Sequence, residues 1–356
     1  MGRKKNAENA AAAVAVAEKK TVDATTAAAS SMTSVVDRAQ QRARSARDRL
    51  PDLARFGLAL LLNFSLSSVS EAGLKWLTQD ELTSIARESD SMLGTIVSAG
   101  WKIFLLTLGW FGDYDGYDLA SLALLSHGPT AYLLSVFYGI RPLTAGVYLV
   151  SNVVSYFVPF LLFRELSGAH SAAPGTPNRE IVIDRGIQVL TSILAGLVYN
   201  VVLFLACRTF LPTTLVLHFV DIPTVEPATD AVLLGLGRRP DMLVLSLLFG
   251  IAARTFIFTP LVTTPQTAED EQSADFDPVS ATLGQTVAWN LWGYTTQTKV
   301  SIKRTAAAVL ATAVSTYLQC TLTIRGVESL GAAVWAGVWA TATLATGLSL
   351  RYVGSI

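Results

Sequence analysis

Histidine and cysteine are scarce in this chain, three and two among 356 residues. His127, His170 and His218 stand in unrelated settings, with no His-Glu-x-x-His pair and no mixed His/Cys cluster, which excludes the common zinc-site patterns. Cys207 and Cys320 both fall inside apolar runs, where a free cysteine behaves as a small apolar residue, so no disulfide framework is expected. Charge is scarce as well: 15% of residues are charged, where a soluble domain carries about a quarter. Neither a phosphate-binding loop nor a G-x-S-x-G nucleophile elbow occurs. No metal, cofactor or nucleic-acid partner is expected from these absences, and an enzyme would need unusual chemistry.

Apolar length is what the chain has. Hydrophobic residues make up 51% of it, and the mean hydropathy is +0.44 with a polar tail included. A bilayer offers a bare backbone no hydrogen bonds, so a crossing segment must be a helix of about 20 apolar residues. Eight runs qualify or nearly so: Phe56 to Gly73, Met92 to Phe111, Leu119 to Ile140, Pro142 to Phe163, Ile187 to Leu211, Asp241 to Val262, Thr305 to Leu322 and Gly326 to Leu348. The predicted fold is all-α: a polytopic transmembrane helix bundle of about eight spans, with a disordered N-terminal tail and one interfacial amphipathic segment.

The organisation follows from composition. Residues 1–55 read as a disordered, basic cytosolic tail, holding 11 of the 27 Lys and Arg. They contain no apolar core of signal-peptide length, so the first span is expected to act as an uncleaved signal. Glu8, Glu18, Asp23 and Asp37 count against a mitochondrial transit peptide, and Asn6 stands where a myristoylation signal wants Ser or Thr. An endomembrane such as the endoplasmic reticulum is the expected location. Residues 56–262 hold spans one to six. Residues 263–304 hold an acidic stretch (Glu269 to Asp277), then a Trp-rich segment from Val279 to Arg304, expected to lie in the headgroup plane. Residues 305–356 hold the last two spans. The basic tail places the N-terminus inside, and an even span count returns the C-terminus there.

Several residues are candidates for more than packing. Lys102 and Arg254 sit near the middle of their runs, where a lipid-exposed charge costs roughly 2.5–3.5 kcal/mol, so both should face protein or water. His127-Gly-Pro129 lies near the centre of the third run, where proline should kink or break the helix, as in many transporter sites. Asp113, Asp115 and Asp118 put three carboxylates in six residues, a candidate cation-binding cluster that includes a D-x-D. The plainer reading is a tight turn in which Asp118 caps the next helix. Ala333, Gly337, Thr341 and Ala345 recur every four residues, a small-residue face for helix contact with Trp335 and Trp339 displaced from it.

The stretch from Trp110 through Asp118 to Ser126-His-Gly-Pro, continuing to Phe137-Tyr-Gly-Ile, resembles uncharacterised multi-pass membrane proteins of filamentous fungi. The resemblance implies a multi-pass membrane protein and carries over no activity and no site residue. Two functions from different classes fit the sequence. The first is a non-catalytic membrane-organising or partner-binding protein, whose partners are the lipid bilayer and a second copy or another membrane protein. The second is a transporter or channel for a small anionic solute or lipid, which requires Lys102 and Arg254 to face one polar cavity. Base rates favour the first, and a membrane-embedded transferase using Asp113 to Asp118 ranks third.

Overall fold

The computed structural model describes residues 50–77, 81–87, 92–229, 240–268, 270–271 and 281–354. The tail up to residue 49 and most of the predicted acidic loop lie outside them. Contacts divide the chain into two units, Met1–Gly57 and Leu58–Ile356, and the second contains everything that follows.

Eight helices are long and apolar enough to span a bilayer: α1 (Asp52–Leu77), α2 (Met92–Phe111), α3 (Gly116–Val136), α4 (Pro142–Phe163), α5 (Arg185–Arg208), α6 (Val244–Thr263), α7 (Thr296–Thr323) and α8 (Ser329–Gly354). The chain is an all-α, multi-pass integral membrane protein. Among the described residues the only β features are two isolated bridges, Ala86 to Ile324 and Phe219 to Val327.

The connections sort onto two faces. On one, called face A, Arg164 reaches Asp113, His170 reaches Asp115, and Arg304 reaches Asp118. On the other, face B, Glu81 pairs with Arg141, His218 with Glu328, and Asp221 with Arg325. Every such pair joins ends that eight alternating crossings place on the same side.

Helix α3 is the axis of the bundle: 83% of its span window is buried, against 17% for each of α1 and α2. It packs on α4, α6 and α7, while α5 packs on α6 and α8, and α7 on α8. The core is aromatic. Tyr132 of α3 stacks on Trp335 of α8 with ring centroids 6.1 Å apart, and Phe249 of α6 meets Trp339 at 4.8 Å. Both tryptophans are almost fully buried. This corrects the expected face of α8: Ala333, Gly337 and Thr341 are exposed, Ala345 is half-buried, and no atom lies within 4 Å of where a Gly337 Cβ would be. Two indoles bury far more area than four small residues and so turn inward. Close helix approach occurs instead between α5 and α6, where a Cβ on Gly250 would lie 2.1 Å from the Ser192 carbonyl oxygen.

Two further expectations are corrected. Helix α3 runs unbroken through Pro129. The predicted interfacial segment is divided. Leu283–Trp292 is a short helix closed by a Thr282/Gln285 capping box, whereas Lys299, Lys303 and Arg304 belong to α7, whose N-cap is Thr295. Arg304 is buried because a carboxylate waits for it inside the bundle.

Candidate functional site

Two structures inside the bundle carry chemistry: a polar cavity at mid-membrane and, toward face A, a buried cluster of charges.

The cavity is built from polar stripes at helical spacing. Helix α4 contributes Tyr148, Ser151, Asn152, Ser155 and Tyr156, all of which recur at three- or four-residue steps and so share one side. Helix α1 adds Ser67, Ser70 and Glu71, α2 adds Ser98, Trp101 and Lys102, and α7 adds Ser315 and Gln319. His127 of α3 closes the deep end. Because α1 and α2 stand at the periphery, these faces do not close on one another, and a volume of about 450 Å³ remains. Its rim includes Leu82, Thr83, Ala86 and Thr323, so it opens toward face B.

Lys102 is the eleventh residue of the 20-residue α2, and His127 the twelfth of the 21-residue α3, which puts both near the bilayer centre. The ammonium of Lys102 donates to Ser67 Oγ at 2.7 Å and lies 5.6 Å from the centre of the Phe64 ring. Most other polar groups of the wall are used within the protein. Tyr148 donates to Gln319 at 3.3 Å, Gln319 to the Ser126 carbonyl, Trp101 to Ser315 Oγ at 2.9 Å, and Ser155 to the Ser151 carbonyl. Nδ1 of His127 is buried without a partner.

Beyond Leu105, His127 and Tyr156 the cavity narrows to a space too small for water, walled by Leu119, Leu122, Ala123 and Ser126. Past that apolar layer lies the charge cluster, reached from face A by a separate open groove along Asp113, Tyr114, Lys303 and Arg304.

The cluster begins with a capping box. Asp115 is the N-cap of α3 and accepts from the Asp118 amide, while the Asp118 carboxylate accepts from the Asp115 amide. Arg304 grips Asp118 with both arms, at 2.5 and 3.1 Å, and its guanidinium lies 4.8 Å from the Tyr114 ring centre and 5.2 Å from that of Phe256. His170 sets Nδ1 2.7 Å from Asp115 and Nε2 3.3 Å from the Thr255 carbonyl. With an acceptor at each nitrogen, the ring fits as an imidazolium.

The carbonyls that receive these cations are set free by Pro260. Residues Arg254–Phe258 form a π-helical turn in which the Thr259 amide bonds back to the Arg254 carbonyl. The Phe256 carbonyl would need the amide of residue 260 in α register, and the Thr255 carbonyl would need it in π register; proline has none. Arg304 donates to Phe256 at 3.0 Å and His170 faces Thr255.

Burial pushes the Asp115 carboxyl up, but the His170 hydrogen bond and charge, with amides of Asp118 and Ser167, outweigh it and hold the carboxyl well below the usual range. Burial pushes His170 down, but Asp115 and the Asp118 charge raise it above the ordinary histidine value. The raised histidine contributes its full stabilisation below about pH 6.5 and loses it as pH rises through the raised value; the depressed carboxyl contributes above about pH 4 and loses it only in stronger acid. Melting of the detergent-solubilised protein should therefore fall between neutral pH and pH about 9, and His170→Gln should flatten that fall. Parallel pH profiles for the two proteins would refute the assignment.

Ligand atoms of Asp115, Asp118 and His170 lie within 4.8 Å of one another, a spacing that would suit a cation. Their capacity is taken, however. Arg304 occupies both Asp118 oxygens, and His170 points both nitrogens at acceptors. Asp113 is exposed and paired with Arg164 at 2.5 Å. Two carboxylates, a guanidinium and an imidazolium sum to zero, and they tie the α2–α3 turn, the loop after α4, the π turn and α7 together on face A.

The structure thus brings Lys102 and His127 into one cavity and Asp115 and Asp118 into one cluster. Arg254, half-buried in the π turn, lines neither. Glu71, Tyr148, His170 and Arg304 escaped the sequence reading. The three- and four-residue spacing of Ser, Asn and Tyr in the fourth run was a legible signal for the cavity, while the partner of Asp118, 186 residues away, left none.

Comparison with known proteins finds no match to a family model, a curated protein or a solved structure.

Proposed function

We propose that this integral membrane protein binds a small solute in its mid-membrane cavity and carries it across the bilayer. One observation supports this above the others: a polar cavity reaches the bilayer centre from face B and stops at an apolar layer backed by ion pairs on face A. Helix packing alone gives no reason to hold Lys102, His127 and a stripe of serines around empty volume, since interiors otherwise close to high density. Binding sites of this size, mostly apolar with a few convergent polar groups, are typical for small ligands. Access then alternates if the cluster on face A separates while the mouth on face B closes.

The requirement that Lys102 and Arg254 share a cavity is replaced by Lys102 with His127. A second reading, partner binding, is favoured by the outward small-residue face of α8, the kind of surface against which membrane helices pack.

Cysteine accessibility tests the first reading. In a Cys207→Ala/Cys320→Ala background, Ser151→Cys on the cavity side of α4 should react with a small aqueous thiol reagent. Val150→Cys and Val154→Cys, on its exposed apolar side, should stay unreactive in a bilayer. Equal protection of all three positions would remove the cavity from consideration.

A further inference from the structure

We infer that the ligand is a small organic anion with a single negative charge, held by its acid group at Lys102 and by an uncharged hydrogen-bonding group at His127; this rests on the solute-binding reading above.

The charge follows from what the cavity holds and what it lacks. Its charged walls are Glu71, Lys75 and Lys102, one positive charge in excess. Glu71 and Lys75 are exposed at the rim, whereas Lys102 is at mid-depth. The Lys102 ammonium carries three N–H donors and Ser67 takes one of them. Among the described residues no carboxylate forms an ion pair with it, and its other neighbour is the Phe64 ring. A buried cation with neutral partners is costly, and a charge-assisted bond to an entering acid group removes that cost. A dianion would leave one charge unmatched, and a cation would add to the excess.

The second contact follows from unused hydrogen-bonding capacity. Tyr148, Gln319, Trp101 and Ser155 spend their donors on one another or on backbone. His127 does not: Nδ1 is buried and unpartnered, and the ring is flanked by Tyr148 and Tyr156 at centroid distances of 6.3 and 6.1 Å. A neutral imidazole has one donor and one acceptor nitrogen, so a hydroxyl or carbonyl on the ligand satisfies it in either tautomer. The aromatic walls between suit an apolar body.

The test uses the full chain in nanodiscs, with Cys207→Ala, Cys320→Ala and Ser98→Cys, a wall position near the mouth. Labelling by a small aqueous thiol reagent is followed with benzoate, para-hydroxybenzoate, benzamide or benzylamine present. Both acids should slow labelling, para-hydroxybenzoate about tenfold more effectively than benzoate, and benzamide and benzylamine should not. Lys102→Gln should keep the basal labelling rate and lose protection by the acids, Lys102→Arg should restore it, and His127→Phe should make the two acids equal. Basal labelling in each variant reports that its cavity is formed. No labelling of Ser98→Cys without a probe overturns the solute-binding reading itself. Labelling that no acid slows, that amide and acid slow alike, or that acids still slow in Lys102→Gln overturns this inference and leaves the cavity standing.

Discussion

Asp118→Asn is expected to destabilise the protein by about 3–5 kcal/mol, because it leaves the Arg304 guanidinium buried without its counter-charge. Asp118 is fully buried and the Arg304 side chain is 10% exposed, so solvent cannot take over either role. Arg304→Met should cost a similar amount, stranding the Asp118 carboxylate and the Phe256 carbonyl together. The double variant Asp118→Leu/Arg304→Met should lose much less than the sum, since a buried pair replaced by apolar groups leaves no unpaired charge. Denaturation of the four proteins in mixed micelles gives the coupling directly. Additive losses would mean that the two side chains do not meet in the folded protein.

The second large effect is steric. A Cβ on Gly250 would stand 2.1 Å from the Ser192 carbonyl oxygen and 2.7 Å from the Gly196 nitrogen. Both are backbone atoms of α5 and neither can swing aside. Membrane helices associate through close packing rather than through a hydrophobic drive, so forcing α5 and α6 apart forfeits contact along the whole crossing. Gly250→Val should cost at least about 3 kcal/mol, the upper range for overpacking, and lower the yield of folded protein. Gly337→Val, on the outward face of α8, should be close to neutral and serves as the control. If both variants melt alike, helix α6 does not approach α5 as described.

Much of the architecture was legible in the sequence, because hydropathy acts over a span-length window. The predicted limits Met92 to Phe111 and Pro142 to Phe163 coincide with α2 and α4, each bounded by polar or turn-forming residues. Misreadings arose where a distant partner decides the outcome. Arg304 looks like an interfacial anchor beside Lys303, yet it enters the bundle because Asp118 is there. Pro129 looked like a break, yet α3 absorbs it, while Pro260, unremarked in the sequence, coincides with a π turn. Trp335 and Trp339 looked like surface residues because the small-residue repeat beside them is the familiar packing motif. Of the candidate site residues, Lys102 and His127 were noticed as costly or unusual singly; that they share one cavity depends on where α1 and α2 leave the core, which no local pattern encodes.

The most direct test of the central claim, a cavity open to one face and shut on the other, is sided labelling of Ser151→Cys in sealed vesicles with a membrane-impermeant thiol reagent. Asp113→Cys, exposed on face A, and Glu328→Cys, on face B, report orientation. The account predicts that Ser151→Cys reacts from the side on which Glu328→Cys reacts and is silent from the side of Asp113→Cys. Reaction only from the Asp113 side, equal reaction from both sides, or reaction from neither would contradict it.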